Sequence, residues 1–144
     1  MMNSVSNDTR LAIADCIHLF FYQVDHGQAS RTAALFTADA SLTFGPGSPT
    51  PGTITGDAIT AAMAAREKQT SAFTRHVVSN IMFDTEAFDD VGVRYLLVLF
   101  RSDDDSRDSK PAFVADVRER WSQQEGSWKI AERVVSPAFI RAQV

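Results

Sequence analysis

Three side chains that can move a proton fall on one stripe of the first predicted helix. At roughly 100° per residue, His18, Tyr22 and Asp25 lie one above another on the same side. Burying such polar groups without partners costs about 1–3 kcal/mol each. The stripe is therefore predicted to face a polar cavity or a dedicated partner, and acid–base chemistry is the first hypothesis for this chain.

The helix that must position these groups is predicted over residues 11–25. Apolar side chains occupy both the polar stripe and the opposite one, with Leu11, Ala14 and Phe21 on the first and Ile13, Ile17, Phe20 and Val24 on the second. A helix that is apolar on two sides is predicted to lie between two layers of the fold.

The rest of the chain separates helices from strands. Short helices are predicted at 30–36 and from about 57 to 69, with a strand at 40–44 and a loop rich in glycine and proline at 45–52. The periodicity then changes to two, which predicts strands at 76–83, 92–101, 112–122 and 127–135. This order is typical of an α+β fold, and 144 residues suit one domain, 1–144.

The strand at 92–101 is apolar on both faces, so we expect it to be central in the sheet. Arg94 is the only charge inside it and needs an anion, either a carboxylate or a substrate. The last two strands form a predicted hairpin around 123–126. If Trp121 and Trp128 face each other, Asp116 lies opposite Arg133 as a structural ion pair.

Charge and cysteine content exclude several classes of protein. The formal net charge is −4 and no basic run occurs, which argues against a nucleic-acid surface. A single cysteine, Cys16, excludes an internal disulfide framework. Residues 1–10 are polar, without the apolar segment of a signal peptide, so we expect a cytoplasmic protein that does not enter membranes.

Five short motifs follow one another in an order that resembles a SnoaL-like domain of the nuclear transport factor 2-like superfamily. They are Tyr22-x-x-Asp25-x-Gly27, Leu35-Phe36-x-x-Asp39-Ala40, Gly56-x-x-Ile59, Thr74-Arg75-His76-x-x-x-Asn80 and Trp128-x-Ile130-x-x-Arg133. The resemblance implies a cone-shaped, curved, mainly antiparallel mixed sheet that wraps around the N-terminal helix, also described as a cystatin-like roll. Relatives on this fold include scytalone dehydratase, polyketide cyclases, ketosteroid isomerase and dioxygenase β subunits.

The resemblance also implies a site. Asp25 and His76 match the aspartate and histidine of scytalone dehydratase, whereas Val24 stands where one of its tyrosines would be. The hypothesis is that Asp25 and His76 remove a proton next to a carbonyl while Tyr22 donates to the enolate oxygen, inside a closed cavity. The side chains expected to line that cavity are His18, Phe21, Val78, Asn80 and Arg94.

Two classes of function follow from these residues. The first is a cofactor-independent lyase, isomerase or cyclase acting on a small apolar cyclic or aromatic molecule, without a metal. The second is a binding module without chemistry, either a small-molecule carrier or an assembly subunit like an oxygenase β subunit. In both cases a homodimer is expected, because strands that are apolar on both faces leave surface that the helices of one copy cannot cover.

Overall fold

Helix α1, Asn7–Asp25, packs one face against a six-stranded sheet in the computed structural model, which describes residues 4–141. Its first turn is capped by Ser6, whose Oγ accepts a hydrogen bond from the backbone N–H of Thr9. The helix therefore begins before the predicted residue 11. Its buried side chains form a single face, which consists of Ile13, Ile17, Phe20, Phe21 and Val24.

A short 3₁₀ helix, Ala29–Leu35, leads into strand β1, Phe36–Phe44. Strand β2, Gly52–Thr55, pairs antiparallel with β1, and helix α2 follows at Asp57–Glu67. The sequence analysis did not predict β2, a four-residue strand that starts at the last glycine of the predicted loop.

The remaining strands form most of the curled sheet. They are β3, Phe73–Thr85; β4, Val91–Ser102; β5, Pro111–Gln124; and β6, Ser127–Ile140. The strand order is β2-β1-β6-β5-β4-β3, and every pairing is antiparallel except that of β1 with β6. The predicted α+β fold with a mixed, mainly antiparallel sheet is confirmed.

The two faces of the sheet differ. Val93, Tyr95 and Leu97 of β4 are buried against α1, on what we call the inner face. The alternate residues of β4, which begin with Arg94 and Leu96, lie on the outer face and are exposed or only partly buried. Within residues 4–141, no helix is both long enough and apolar enough to cross a bilayer.

The predicted register of the β5–β6 hairpin is wrong. Glu125 and Gly126 alone form the turn, with φ of 52° and 81°, which is the geometry of a tight hairpin. A bulge after Arg120 shifts the pairing by one more residue. As a result Asp116 lies opposite Ser136, and Arg133 lies opposite Glu119.

Candidate active site

Asp25, the last residue of α1, is held by hydrogen bonds from β3. Its Oδ1 accepts from Thr74 Oγ1 at 2.8 Å and from His76 Nδ1 at 2.6 Å, and its Oδ2 accepts from the backbone N–H of His76 at 2.8 Å. The Asp25 side chain is 5% exposed and that of His76 is 12% exposed. The predicted contact between Asp25 and His76 is confirmed.

These hydrogen bonds favour the ionised form of Asp25 and one tautomer of His76. Burial raises the pKa of the Asp25 carboxyl, but the hydrogen bonds and charge of His76 and the Thr74 hydroxyl outweigh it, so this pKa lies below its usual range. A carboxylate that accepts from Nδ1 leaves the proton on that nitrogen. His76 Nε2 then carries the free lone pair, as a general base requires.

Two arginines support the pair from outside. Arg66 of α2 donates from Nη2 to Thr74 Oγ1 at 2.9 Å, so the Thr74 hydroxyl is oriented toward Asp25. Arg75 Nη1 donates to the backbone oxygens of Asp25 and Thr74 at 3.2 and 2.7 Å. Sequence reasoning missed Thr74 and Arg66 as site residues, although residues two apart on a strand share a face, which places Thr74 beside His76.

Phe21 and Val78 lie on the same side of the sheet as His76. The Phe21 ring packs on the imidazole, with centroids 4.8 Å apart and an interplanar angle of 32°. Val78 follows His76 on the inner face. In the pairing with β4, His76 lies opposite Leu99 and Val78 lies opposite Leu97.

Tyr22 and His18 do not face the site, so these two predictions are wrong. Tyr22 is 58% exposed and stacks on His26, with ring centroids 4.0 Å apart. His18 is exposed as well. Within residues 4–141, no second layer covers their side of α1, and the stripe reaches the interior only at Phe21 and Asp25, near the end of the helix.

Asn80 and Arg94 are also placed away from His76. Asn80 has φ of 57° and lies at a bulge in β3, where the pairing shifts between Ser79 and Met82. The extra residue reverses which side chains point inward, so Asn80 leaves the inner face. Arg94 is exposed on the outer face, opposite Arg118, where water solvates its charge.

A groove with a volume of about 420 Å³ lies on that outer face. Asn80 and Arg94 line it, together with Met82, Leu96, Asp116 and Arg118. Neither Asp25 nor His76 belongs to it. The expected cavity that would join His76, Asn80 and Arg94 is therefore wrong, because the sheet separates these residues.

A second polar cluster, which sequence reasoning missed, is buried on the inner face. Arg133 Nε donates to Glu119 Oε2, which also accepts from the Tyr95 hydroxyl at 2.7 Å. Glu119 Oε1 accepts from Trp121 Nε1 at 2.9 Å. Burial raises the pKa of Tyr95 well above its ordinary value, so its hydroxyl stays protonated and donates.

The guanidinium of this cluster is surrounded by aromatic rings. Arg133 Cζ lies 3.9, 5.3 and 5.7 Å from the ring centroids of Phe20, Phe21 and Phe36. Burial lowers the pKa of Arg133, but the charge and the hydrogen bond of Glu119 outweigh it, so the pKa is raised overall. Glu119 could have been recognised as the partner only if the bulge in the hairpin had been known.

Comparison with known proteins adds a family and a fold. The model of the SnoaL-like domain matches residues 6–134. No curated protein matches the sequence.

Three solved structures illustrate the similarity of fold, all from Novosphingobium aromaticivorans. One is described as "an ntf2-like protein with a cystatin-like fold", with 19% identity, a TM-score of 0.76 and coverage of 91% of this chain and 82% of the other. A "Putative Scytalone Dehydratase" has 21% identity, a TM-score of 0.78 and coverage of 96% and 93%. The "beta subunit of a putative aromatic-ring-hydroxylating dioxygenase" has 15% identity, a TM-score of 0.80 and coverage of 97% and 95%.

Proposed function

The chain belongs to the SnoaL-like domain family, and on that premise we propose that it is a cofactor-independent lyase, isomerase or cyclase for a small apolar cyclic or aromatic molecule. In this proposal His76 is the general acid and base, and Asp25 is the positioning residue that fixes its tautomer. Tyr22 has no part in it, because it lies outside the site.

The observation that carries the proposal is the hydrogen bond of 2.6 Å between His76 Nδ1 and Asp25 Oδ1. With Nδ1 occupied, Nε2 can take the proton from a carbon next to a carbonyl. The C–H electron pair then forms a C=C bond, and the carbonyl oxygen becomes an enolate. Return of the proton to another carbon completes an isomerisation, and loss of a β-hydroxyl as water completes a dehydration.

The neighbour named as a scytalone dehydratase supports a lyase among these reactions, because dehydration of this kind begins with the same proton transfer. The neighbour named as a dioxygenase β subunit supports the second candidate function, a binding or assembly module without turnover. The outer groove is the surface that such a module would offer to a partner.

Proton exchange tests the proposal without knowledge of the natural substrate. In D₂O, the protein should speed the exchange of the hydrogens next to the carbonyl of 2-tetralone, a bicyclic ketone, as measured by ¹H NMR. His76→Asn keeps an N–H for Asp25 but has no Nε2, so it should lower the exchange rate by about 10²–10⁴-fold.

The matched control is His18→Asn, which changes an exposed histidine and should leave the rate unchanged. The melting temperature of both variants should stay close to that of the wild type. Exchange that is no faster with wild-type protein than with His76→Asn would contradict acid–base catalysis and favour the binding module.

A further inference from the structure

Helix α2 connects the two edge strands of the sheet. The strand order β2-β1-β6-β5-β4-β3 places β2 at one edge and β3 at the other, and α2 lies between these two strands in the chain. Contacts of Ile59 and Met63 with the core place the helix on the inner side of the sheet. Because the sheet is curled, a helix that joins its two edges crosses the open side of the inner face, where Asp25 and His76 lie.

The two ends of α2 are anchored differently. Ile59, in the first turn, is 1% exposed and is the single buried side chain of the helix. The C-terminal end is held by polar contacts instead. Glu67 Oε1 accepts hydrogen bonds from Ser30 Oγ at 2.7 Å and from the Ser30 backbone N–H at 3.2 Å, and Arg66 Nη2 donates to Thr74 Oγ1 at 2.9 Å. Ser30 is exposed, so water competes for the bonds of Glu67 and makes this end the easier one to release.

Segments that can act as hinges flank α2 on both sides. Gly56, just before the helix, has φ of 53° and ψ of −122°, a conformation that favours glycine, and it provides no side-chain cap. Residues 68–72 follow the helix as short turns closed by backbone hydrogen bonds. Hinges are typically a few residues at the ends of elements, so α2 can turn about its N-terminal end as one unit.

In the conformation described, the His76 imidazole is closed to a substrate. Its side chain is 12% exposed, the Phe21 ring packs on it, and its Nδ1 is bonded to Asp25. A ring-sized molecule can therefore reach Nε2 only after a neighbouring element moves. Helix α2 buries one side chain whereas α1 buries five, so α2 is the helix that moves at the lower cost.

We propose that the C-terminal half of α2, residues 62–67, is a gate that swings away from Ser30 and Thr74 about Gly56 and admits the substrate to His76. This inference rests on the proposed function, which it deepens by assigning the element that controls access to the base. Closure returns Arg66 to Thr74, whose hydroxyl donates to Asp25. The same movement thus encloses the substrate and restores the hydrogen bonds that orient the imidazole.

Chemical modification of His76 measures the opening. Diethyl pyrocarbonate acylates unprotonated imidazole nitrogens, and peptide mass spectrometry on the full chain gives the rate at each histidine. In the wild type, His76 should react at least about tenfold more slowly than the exposed His18. Glu67→Ala removes both hydrogen bonds to Ser30, so it should raise the rate at His76 by about three- to tenfold and leave the rate at His18 unchanged.

Amide hydrogen exchange measures the same movement independently. In Glu67→Ala, the amides of residues 63–66 should exchange faster by the same factor as His76 is modified, because one opening controls both rates. The amides of residues 13–24 in α1 should keep their wild-type rates. The matched control is Lys68→Ala, which changes the exposed residue next to Glu67 and should alter neither rate.

Several results would overturn the gate. Equal modification of His76 and His18 in the wild type would show that the imidazole is already open. A rise in only one of the two rates in Glu67→Ala would show that α2 does not control access to His76. Rates that do not change at either position, or that rise equally in Lys68→Ala, would show that the contacts of Glu67 do not hold the gate closed.

The two proposals fail in different ways. If proton exchange on 2-tetralone depends on His76 while modification of His76 does not respond to Glu67→Ala, the proposed function stands and the gate falls. If the gate opens as expected but the ketone does not exchange, α2 controls access to a binding site without turnover.

Discussion

Asp25 receives hydrogen bonds at both carboxylate oxygens, and each of them favours the ionised form. The groups that orient it come from different elements, since Thr74 and His76 lie on β3 and Arg66 lies on α2. The negative charge of Asp25 therefore has two effects. It orients the His76 imidazole, and it holds the end of α1 against the sheet. Asp25 should contribute to stability as well as to catalysis.

This double role predicts a pH dependence. The pKa of Asp25 is lower in the folded protein than in the unfolded chain, where the pKa of a free aspartate is about 3.9. The stability that Asp25 contributes is therefore complete above about pH 4 and is lost as the pH falls through the lowered pKa. Urea unfolding at pH 7 and pH 3 should show that Asp25→Asn loses less stability on acidification than the wild type.

At pH 7 the same variant should be less stable by about 1–3 kcal/mol, because the buried hydrogen bonds of the carboxylate are weakened. Asp105→Asn, which changes an exposed aspartate in the connection between β4 and β5, is the control and should leave the stability at pH 7 unchanged. A parallel loss of stability in the wild type and Asp25→Asn would contradict the lowered pKa.

At the scale of the elements, one residue, Asn80, determines which side chains of β3 point toward the inner face of the sheet. Asn80 adopts a left-handed φ of 57°, which reverses the alternation of β3. Before it, Thr74, His76 and Val78 point inward, and after it Phe83 does so. If β3 were a regular strand, the inward-pointing side chains either before Asn80 or after it would point outward.

Substitutions at the bulge test this account. Asn80→Val should destabilise the protein by about 1–2 kcal/mol, because a β-branched side chain is strained at positive φ. Asn80→Gly should be tolerated, since glycine adopts this conformation readily. Thermal unfolding measures the stability of both variants. The control is Ser79→Val, which changes an exposed neighbour in an extended conformation. An Asn80→Val variant as stable as Ser79→Val would show that the bulge is not needed.

The elements themselves were predictable from the sequence, and their exact pairing was not. Periodicity located the long strands, and the family resemblance brought Asp25 to His76. The same periodicity placed Asn80 beside His76 and Asp116 opposite Arg133, because it assumes regular strands. Each error comes from a bulge or a tight turn, which depends on the conformation of one or two residues.

The helix illustrates a different limit. Hydrophobic periodicity showed that α1 has two faces able to be buried, but it cannot tell which of them receives a second layer. In the part of the chain that the structure describes, the face of Ile13 and Ile17 is covered, whereas Tyr22 on the other side is exposed and packs on His26. Glu119 was missed because its position opposite Arg133 depends on the tight turn and the bulge of the hairpin, and nothing in its sequence neighbourhood distinguishes it from an exposed strand residue.

At the scale of the whole molecule, the outer face of the sheet predicts self-association. Leu96 and Val134 are only partly buried there, and Met82 is 61% exposed. The same face carries Arg94 and Asp116, whose opposite charges could form ion pairs between two copies related by a twofold axis. We expect a homodimer that covers this face.

Light scattering at micromolar concentration should give the mass of two chains. Met82→Lys introduces a charge into the proposed interface and should shift the mass toward one chain. Leu11→Lys alters an exposed apolar residue of α1, away from the outer face, and should leave the dimer intact. A wild-type mass of one chain contradicts the prediction, as does equal dissociation by both substitutions.

The position of β6 between β1 and β5 has a consequence for how the protein is made. On the ribosome β1 and β2 emerge early, yet their route into the sheet is the parallel pairing of β1 with β6, the last of the six strands to be synthesised. The sheet thus depends on contacts between distant parts of the chain, which slow folding and leave strand edges open meanwhile. The nascent chain can bring α1 to β3, and with it Asp25 to His76, before residues 127–140 have appeared. Arg133 joins only when the chain has passed that point, so the pair of Asp25 and His76 can form before the buried cluster around Glu119 is complete.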